Sequence, residues 1–208
     1  LLETRKVSKS YGKLRAVTGL DLMVEEGELR GLIGPNGAGK TTVFNLLTGF
    51  DVPTEGKVFF RGEDITAMPA HKVAQKGMAR SFQQSFLFMY ATVLENVMMG
   101  CHMSCQAGPV CEFLHTSRAS RYDRLARQRV LEIIEFMGLE GVKDQLAGSL
   151  SHGHQRALGV SIALACNPRL LLLDEPVTGM NPTESAEMVE RIKSIRAQGI
   201  TVILVEHS

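Results

Sequence analysis

Long hydrophobic runs are missing from this sequence. Uninterrupted apolar stretches such as Leu170–Leu173 are short and fall well below the roughly 20 residues a membrane-spanning helix needs. A secretory pattern at the N-terminus is missing as well, so a membrane role would have to come through a partner. Strong charge of either sign is absent. Twenty-three Lys and Arg stand against 22 Asp and Glu for a net +1, which does not make nucleic acid the default partner. Cysteine is scarce. Cys101, Cys105 and Cys111, with His102 and His115 among them, contain no paired C-x2-C unit, so the cluster matches no standard zinc pattern and free thiols are expected there and at Cys166. What remains is 208 residues, 44% hydrophobic, enough for one large domain or a domain with a sizeable subdomain.

The most informative stretch is Gly34-Pro35-Asn36-Gly37-Ala38-Gly39-Lys40-Thr41-Thr42. It follows an apolar run, Leu29–Ile33, that reads as a buried strand. It opens a helical pattern with Val43, Phe44, Leu46 and Leu47 apolar and Gly49 as its stop. A glycine-rich turn between strand and helix is a phosphate cradle. The glycines let backbone N–H groups close around phosphate oxygens, and the helix N-terminus adds positive charge. Lys40 suits the β- and γ-phosphates and the Thr41 hydroxyl suits Mg²⁺.

The segments around the cradle read as an α/β chain. Leu1–Val7 predicts a strand, Ser8–Gly12 a polar turn, and the alternation through Leu20, Leu22 and Val24 a second strand. Tyr11 is either a packing residue or a flat ring on which an adenine could stack. Lys57–Arg61 and Met78–Phe82 read as strands, with a short helix from Pro69 to Lys76 between them. Gln83, just past a strand end, could hold a water or complete a Mg²⁺ shell, or be surface polar chemistry. Residues 85–150 differ in character. Ser85–Tyr90 is rich in Phe and Met, Thr92 and Glu95 form a capping box, and residues 101–116 read as irregular. Ser117–Met137 predicts a long helix with Ala126, Val130, Ile133, Ile134 and Met137 on one face and five arginines elsewhere. Those arginines fit a solvated face better than a nucleic-acid surface at this net charge.

Carboxylates and hydroxyls complete the picture. Ser151 caps an apolar helix, and its hydroxyl with the N–H groups that follow could grip an anion. His152 and His154, two apart, point to different helix faces, which argues against a metal pair. Leu170–Leu173 is a buried strand ending in Asp174 and Glu175, whose adjacent positions point different ways. Asp174 can hold Mg²⁺ and Glu175 can accept a proton from an attacking water. Asn181, Pro182 and Glu184 start the next helix, with Met188, Ile192 and Ile195 on its buried face. A last strand, Thr201–Val205, leads to His207. Ends of parallel strands gather chemistry at one edge, so His207, Asp174 and the phosphate loop are expected together.

Taken in order, these motifs resemble the nucleotide-binding subunit of an ABC transporter. Gly34–Thr42 is similar to the Walker A loop, Leu170–Glu175 to the Walker B strand with its catalytic glutamate, and Gln83 to the Q-loop glutamine. Leu150–Gln155 is similar to the signature, His207 to the switch histidine and Tyr11 to the adenine-stacking aromatic. The resemblance implies a P-loop NTPase core with a mostly parallel sheet, an N-terminal antiparallel β subdomain and an inserted helical subdomain. The core would be residues 1–84 and 151–208, and the helical insert 85–150. A narrower resemblance, carried by Ala79–Gln83, Thr92–Val97 and Gly179–Glu184, is to ATP-binding subunits of importers for branched-chain amino acids. Amide or urea importers, lipid exporters and soluble ABC ATPases are the alternatives. His152 and His154 depart from the usual signature, and Asn181 stands where many members carry aspartate.

The resemblance further implies ATP and Mg²⁺ as ligands. Tyr11, Gly34, Pro35, Asn36, Gly37, Ala38, Gly39, Lys40, Thr41 and Thr42 of one subunit would hold the nucleotide. Ser151, Gly153 and His154 would hold it from a second ATP-binding subunit, identical or related, placed head to tail. Thr41, Gln83 and Asp174 would hold Mg²⁺, and Glu175, His207 and Gln83 would serve hydrolysis. Permease subunits would anchor the protein at the cytoplasmic face of the membrane, with a solute-binding protein as an indirect partner and Phe86–Tyr90 near the groove for the permease.

Overall fold

The computed structural model describes residues 1–81, 87–104 and 117–206, without the side chains of 102–104 and 117–123. Their order is β1 (Leu2–Tyr11), β2 (Leu14–Val24), β3 (Leu29–Ile33), α1 (Lys40–Leu47), β4 (Glu55–Phe60), β5 (Glu63–Asp64), α2 (Ala70–Gln75) and β6 (Met78–Arg80). Then follow α3 (Val93–Ser104), α4 (Ser117–Phe136), α5 (His152–Ala165), β7 (Leu170–Asp174), α6 (Pro182–Ala197) and β8 (Thr201–Glu206). An antiparallel sheet has the order β2-β1-β4-β5, and a second sheet has the order β3-β8-β7-β6 with every pair parallel. The fold is therefore α/β with one antiparallel and one parallel sheet.

The chain forms two compact units. One holds Leu1–Arg80, Arg169–Glu175 and Ile192–Ser208; the other holds Ser81–Pro168 and Pro176–Arg191. Both sheets and α1 lie in the first. Its core joins Phe44, Leu46 and Leu47 of α1 to Val24, Val58 and Phe60 of the antiparallel sheet and to Leu170, Leu172 and Ile203 of the parallel one. The apolar positions expected for α1 are thus the ones that carry its burial, and burying side chains of this size supplies most of the drive for folding. In the second unit, α5 packs on α3 and α4. Gly100 makes the α3–α5 approach possible, because a Cβ there would stand 2.5 Å from the Ile162 carbonyl. Ala126, Val130, Ile134 and Met137 of α4 are buried, and Ile133 is half-buried.

The structure departs from the sequence expectations in several places. Ser8–Tyr11 is not a turn. β1 continues to Tyr11, pairing Ser10 with Arg15 and Tyr11 with Leu14 across register shifts, and the turn is Gly12-Lys13, with Gly12 at φ 60°. The bulges let a polar run stay in the ladder. β3 is not a buried strand. It pairs only with β8 among the described residues, Arg30 and Gly31 interrupt its apolar residues, and Leu29 and Ile33 are 38% and 69% exposed, as on an edge strand. α3 extends to Ser104, into a stretch read as irregular. α5 and residues 176–191 cluster with residues 81–168 in the second compact unit, and α5 packs on α3 and α4 there.

Candidate phosphate-binding and hydrolytic site

Parallel register brings strand ends to one edge. Ile33 pairs with Glu206 and Asp174 with Val205, so the phosphate loop after β3 and Glu175 after β7 leave the sheet on the same side. Gln83 and His207 lie outside the described residues.

The loop is shaped by two glycines. Gly37 and Gly39 have φ of 81° and 85°, a region that favours residues without a Cβ. A Cβ on Gly39 would stand 2.4 Å from the Ala16 carbonyl oxygen, so the loop closes on β2 only because Gly39 has none. Pro35, Asn36, Gly37 and Ala38 are exposed, Gly34 is half-buried, and the Ala38 N–H donates to the Pro35 carbonyl at 3.2 Å. Gly39 is the N-cap of α1. No side chain caps that helix and no acidic residue occupies its first turn, which suits an anionic ligand at its positive end. Lys40 is buried. Its ammonium donates to the Gly34 carbonyl at 2.5 Å and the Pro35 carbonyl at 3.0 Å, so the cation sits inside the loop. Thr41 is exposed and Thr42 half-buried.

Asp174 is 4% exposed and its Oδ2 accepts from Arg80 Nη2 at 2.6 Å. Arg80 Nη1 donates to Asn45 Oδ1 at 2.7 Å, and the guanidinium lies 5.4 Å from the Phe44 ring centroid. Arginine thereby ties β6, α1 and β7 around the carboxylate. Removing one partner of so buried a pair is destabilising. A hydroxyl at Thr41 and a carboxylate at Asp174 are hard oxygen donors, the set Mg²⁺ takes. Glu175 has φ 48° and its N–H donates to the Val205 carbonyl at 3.1 Å. A left-handed backbone at a non-glycine residue is strained, and such strain collects where a side chain must be aimed.

Ser151, Gly153 and His154 belong to the other compact unit. Ser151 is the N-cap of α5; its hydroxyl accepts from the His154 N–H at 3.3 Å, and its carbonyl accepts from Gln155 N–H at 2.9 Å. The Gln155 side chain is buried and donates to the Ala147 carbonyl at 3.1 Å, which anchors the first turn. Ser151 and His152 are exposed, and Gly153 and His154 half-buried. A Cβ on Gly153 would stand 3.0 Å from the Glu184 carboxylate. Glu184 is itself fixed: Asn181 N–H donates to its Oε2 at 3.0 Å, and its N–H donates to Asn181 Oδ1 at 2.9 Å, the expected capping box. His154, Ala157, Glu184, Glu187 and Arg191 help line a small cavity of about 70 Å³ beside that contact.

Against known proteins, the sequence pattern of the family described as "ABC transporter" matches residues 17–178. The chain belongs to the ABC transporter family. It is 38% identical over 208 residues to the high-affinity branched-chain amino acid transport ATP-binding protein BraF of Pseudomonas aeruginosa, covering 100% of this chain and 82% of that protein. It is 36% identical, with the same coverage, to LivG of Escherichia coli K12, which carries the same description. Its fold is similar to an ATP-binding cassette of an ABC transporter solved in the ADP conformation, with TM-score 0.83 and 29% identity over 99% of this chain and 80% of that one. A dimeric cassette in a post-hydrolysis state, bound to ADP and Pi, is similar at TM-score 0.84 and 26% identity, covering 100% of this chain and 88% of the other. This chain is an ATP-binding subunit of an ABC transporter, and its family is one of ATPases.

Within this subunit, sequence reading missed Arg80 as the partner of Asp174, and Asn45 as the partner of Arg80. The two ends of that ion pair are 94 positions apart, and no local pattern pairs them. It also missed Glu184, whose carboxylate lies close against Gly153.

Proposed function

We propose that this subunit hydrolyses ATP to drive import of branched-chain amino acids through permease partners. The observation that carries the hydrolytic part is the shared sheet edge, where the loop around Lys40, the Arg80-held Asp174 and the strained Glu175 converge. Descriptions of BraF and LivG as branched-chain amino acid transport ATP-binding proteins support the solute class.

In this reading the loop N–H groups, Lys40 and the start of α1 bind the β- and γ-phosphates. Thr41, Asp174 and Gln83 would hold Mg²⁺, which would offset phosphate charge. Arg80 keeps Asp174 oriented by occupying Oδ2. Glu175 accepts the proton of the water that attacks the γ-phosphorus, the bond to the leaving oxygen of ADP breaks, and His207 contacts the γ-phosphate. Tyr11 offers its ring to the adenine. Ser151, Gly153 and His154 supply a hydroxyl and N–H groups but no lysine, so they complete a site whose phosphates are bound by another subunit. That arrangement is a head-to-tail dimer, and loss of the γ-phosphate loosens it. Among the described residues no helix is long and apolar enough to cross a membrane. In this reading the subunit works at the membrane's cytoplasmic face through a permease, with a solute-binding protein upstream.

Affinity purification of the protein from its native membranes tests the transport part. Recovery of polytopic permease subunits, and ATP hydrolysis raised by a branched-chain amino acid with its binding protein, is expected. Recovery of ribosomes or DNA with no permease would overturn it.

A further inference from the structure

The two faces of the Tyr11 ring differ. Lys9 Nζ lies over one of them, 5.0 Å from the centroid, so a cation already covers that face. The hydroxyl end is held as well. The phenol donates to Asp51 Oδ2 at 2.5 Å. Asp51 is fixed in turn: its Oδ1 accepts from Lys9 Nζ at 2.5 Å and from the Val52 N–H at 2.8 Å. Lys9 also donates to the Val52 carbonyl at 2.8 Å. The Lys9 and Asp51 side chains are 14% and 25% exposed, whereas Tyr11 remains 47% exposed. The clamp is largely buried and the platform it holds is open.

We propose that Asp51, fixed by Lys9, is the positioning residue of the Tyr11 ring, presenting the face away from Lys9 to the nucleotide base. The inference rests on the reading of Tyr11 as the base platform. A free tyrosine on a strand end would have to be immobilised when the base stacks, and ordering a side chain weakens binding; here the ring is ordered beforehand. The charges favour the arrangement at neutral pH. Hydrogen bonds from Lys9 and then Tyr11 hold the Asp51 carboxyl below the usual range, so it stays an acceptor. The bond to Asp51 raises the Tyr11 phenol, so it stays a donor.

Calorimetric titration with Mg-ATP and with Mg-tripolyphosphate, which has no base, separates the subsites. Asp51→Ala is expected to weaken ATP about fivefold, the scale of ordering one side chain, and to leave tripolyphosphate unchanged. Tyr11→Phe keeps the ring and the Lys9–Asp51 pair but removes the phenol donor, so it carries the test even where Asp51→Ala unfolds. It is expected to match Asp51→Ala, and the double variant to be no weaker than either single change. Tyr11→Ala is expected to lose about tenfold or more through the missing stack. ATP affinity unchanged in both Asp51→Ala and Tyr11→Phe, while Tyr11→Ala is weak, would overturn the clamp and leave the base platform standing. Equal weakening of ATP and tripolyphosphate in these variants would assign Asp51 to the fold and overturn the clamp too. Unchanged ATP affinity in Tyr11→Ala would overturn the platform, and the clamp with it.

Discussion

Two helix starts in this protein are proposed to meet anions, and they are built differently. α1 begins after a left-handed Gly39, with no side-chain cap and no acid in its first turn, and it carries its own cation, the buried Lys40 ammonium inside the loop. α5 begins after Ser151, whose hydroxyl already accepts from the His154 N–H. It has no lysine, and Glu184 stands against its second residue, Gly153. In the proposed function the first binds a polyphosphate and the second, with its hydroxyl and N–H groups, completes the site of another subunit. If one chain carries a binding half and a completing half in this way, variants at the two should fail in different ways.

The largest difference is expected at chemistry rather than binding. Glu175→Gln should lower ATP turnover roughly a thousandfold, within the range for loss of a general base, while ATP affinity stays near wild type; phosphate release and a binding titration on the same protein check both. Glu175→Gly, relieved of the backbone strain at φ 48°, should be equally inactive yet more stable by about 1 kcal/mol in urea unfolding. Lys40→Ala should cost at least about a hundredfold in ATP affinity, since it removes a charge-assisted contact to phosphate. Ser151→Ala should leave the affinity of the single subunit within about twofold but lower hydrolysis, and lose about 1 kcal/mol of stability with its cap. Equal loss of affinity in both variants would erase the distinction between the halves.

Arg80→Ala tests the support behind the binding half. It removes the guanidinium that donates to the buried Asp174 carboxylate, so a loss of about 3 kcal/mol is expected in thermal or urea unfolding. The smallest effect lies far from both helix starts. Thr66 and Lys57 hold the Asp64 carboxyl down to about 2, from an ordinary value of 3.8. Its folded value is the lower one, so its contribution is present above the unfolded value and fades as pH falls through about 2. Unfolding midpoints of Asp64→Asn and wild type should differ at pH 5 and converge only below about pH 2.

The halves also differed in how far they could be read from the sequence. Gly34–Thr42 was legible because every position of the loop is local, and the capping boxes at Thr92–Glu95 and Asn181–Glu184 close within one turn. β7 was legible as a strand buried on every side. β3 was misread because Arg30 and Gly31 interrupt its apolar residues and it has one neighbour among the described residues. β1 was cut short because Ser8–Tyr11 is polar, and bulges that keep such a run paired leave no simple alternation. Non-local features were out of reach: the Arg80–Asp174 pair, the Glu184–Gly153 contact and the positive φ of Glu175 depend on the folded chain.

The division of labour can be tested by mixing two inactive proteins. Lys40→Ala lacks a working phosphate loop and Ser151→Ala lacks a working completing half, so each alone should hydrolyse ATP poorly. In a mixed head-to-tail dimer, one site combines the intact loop of the Ser151→Ala chain with the intact signature of the Lys40→Ala chain. Mixing should restore ATP hydrolysis well above the average of the two separate proteins. A mixture no more active than that average, in which mixed dimers are demonstrably present, would mean that each chain completes its own site, and the account of two complementary halves would be wrong.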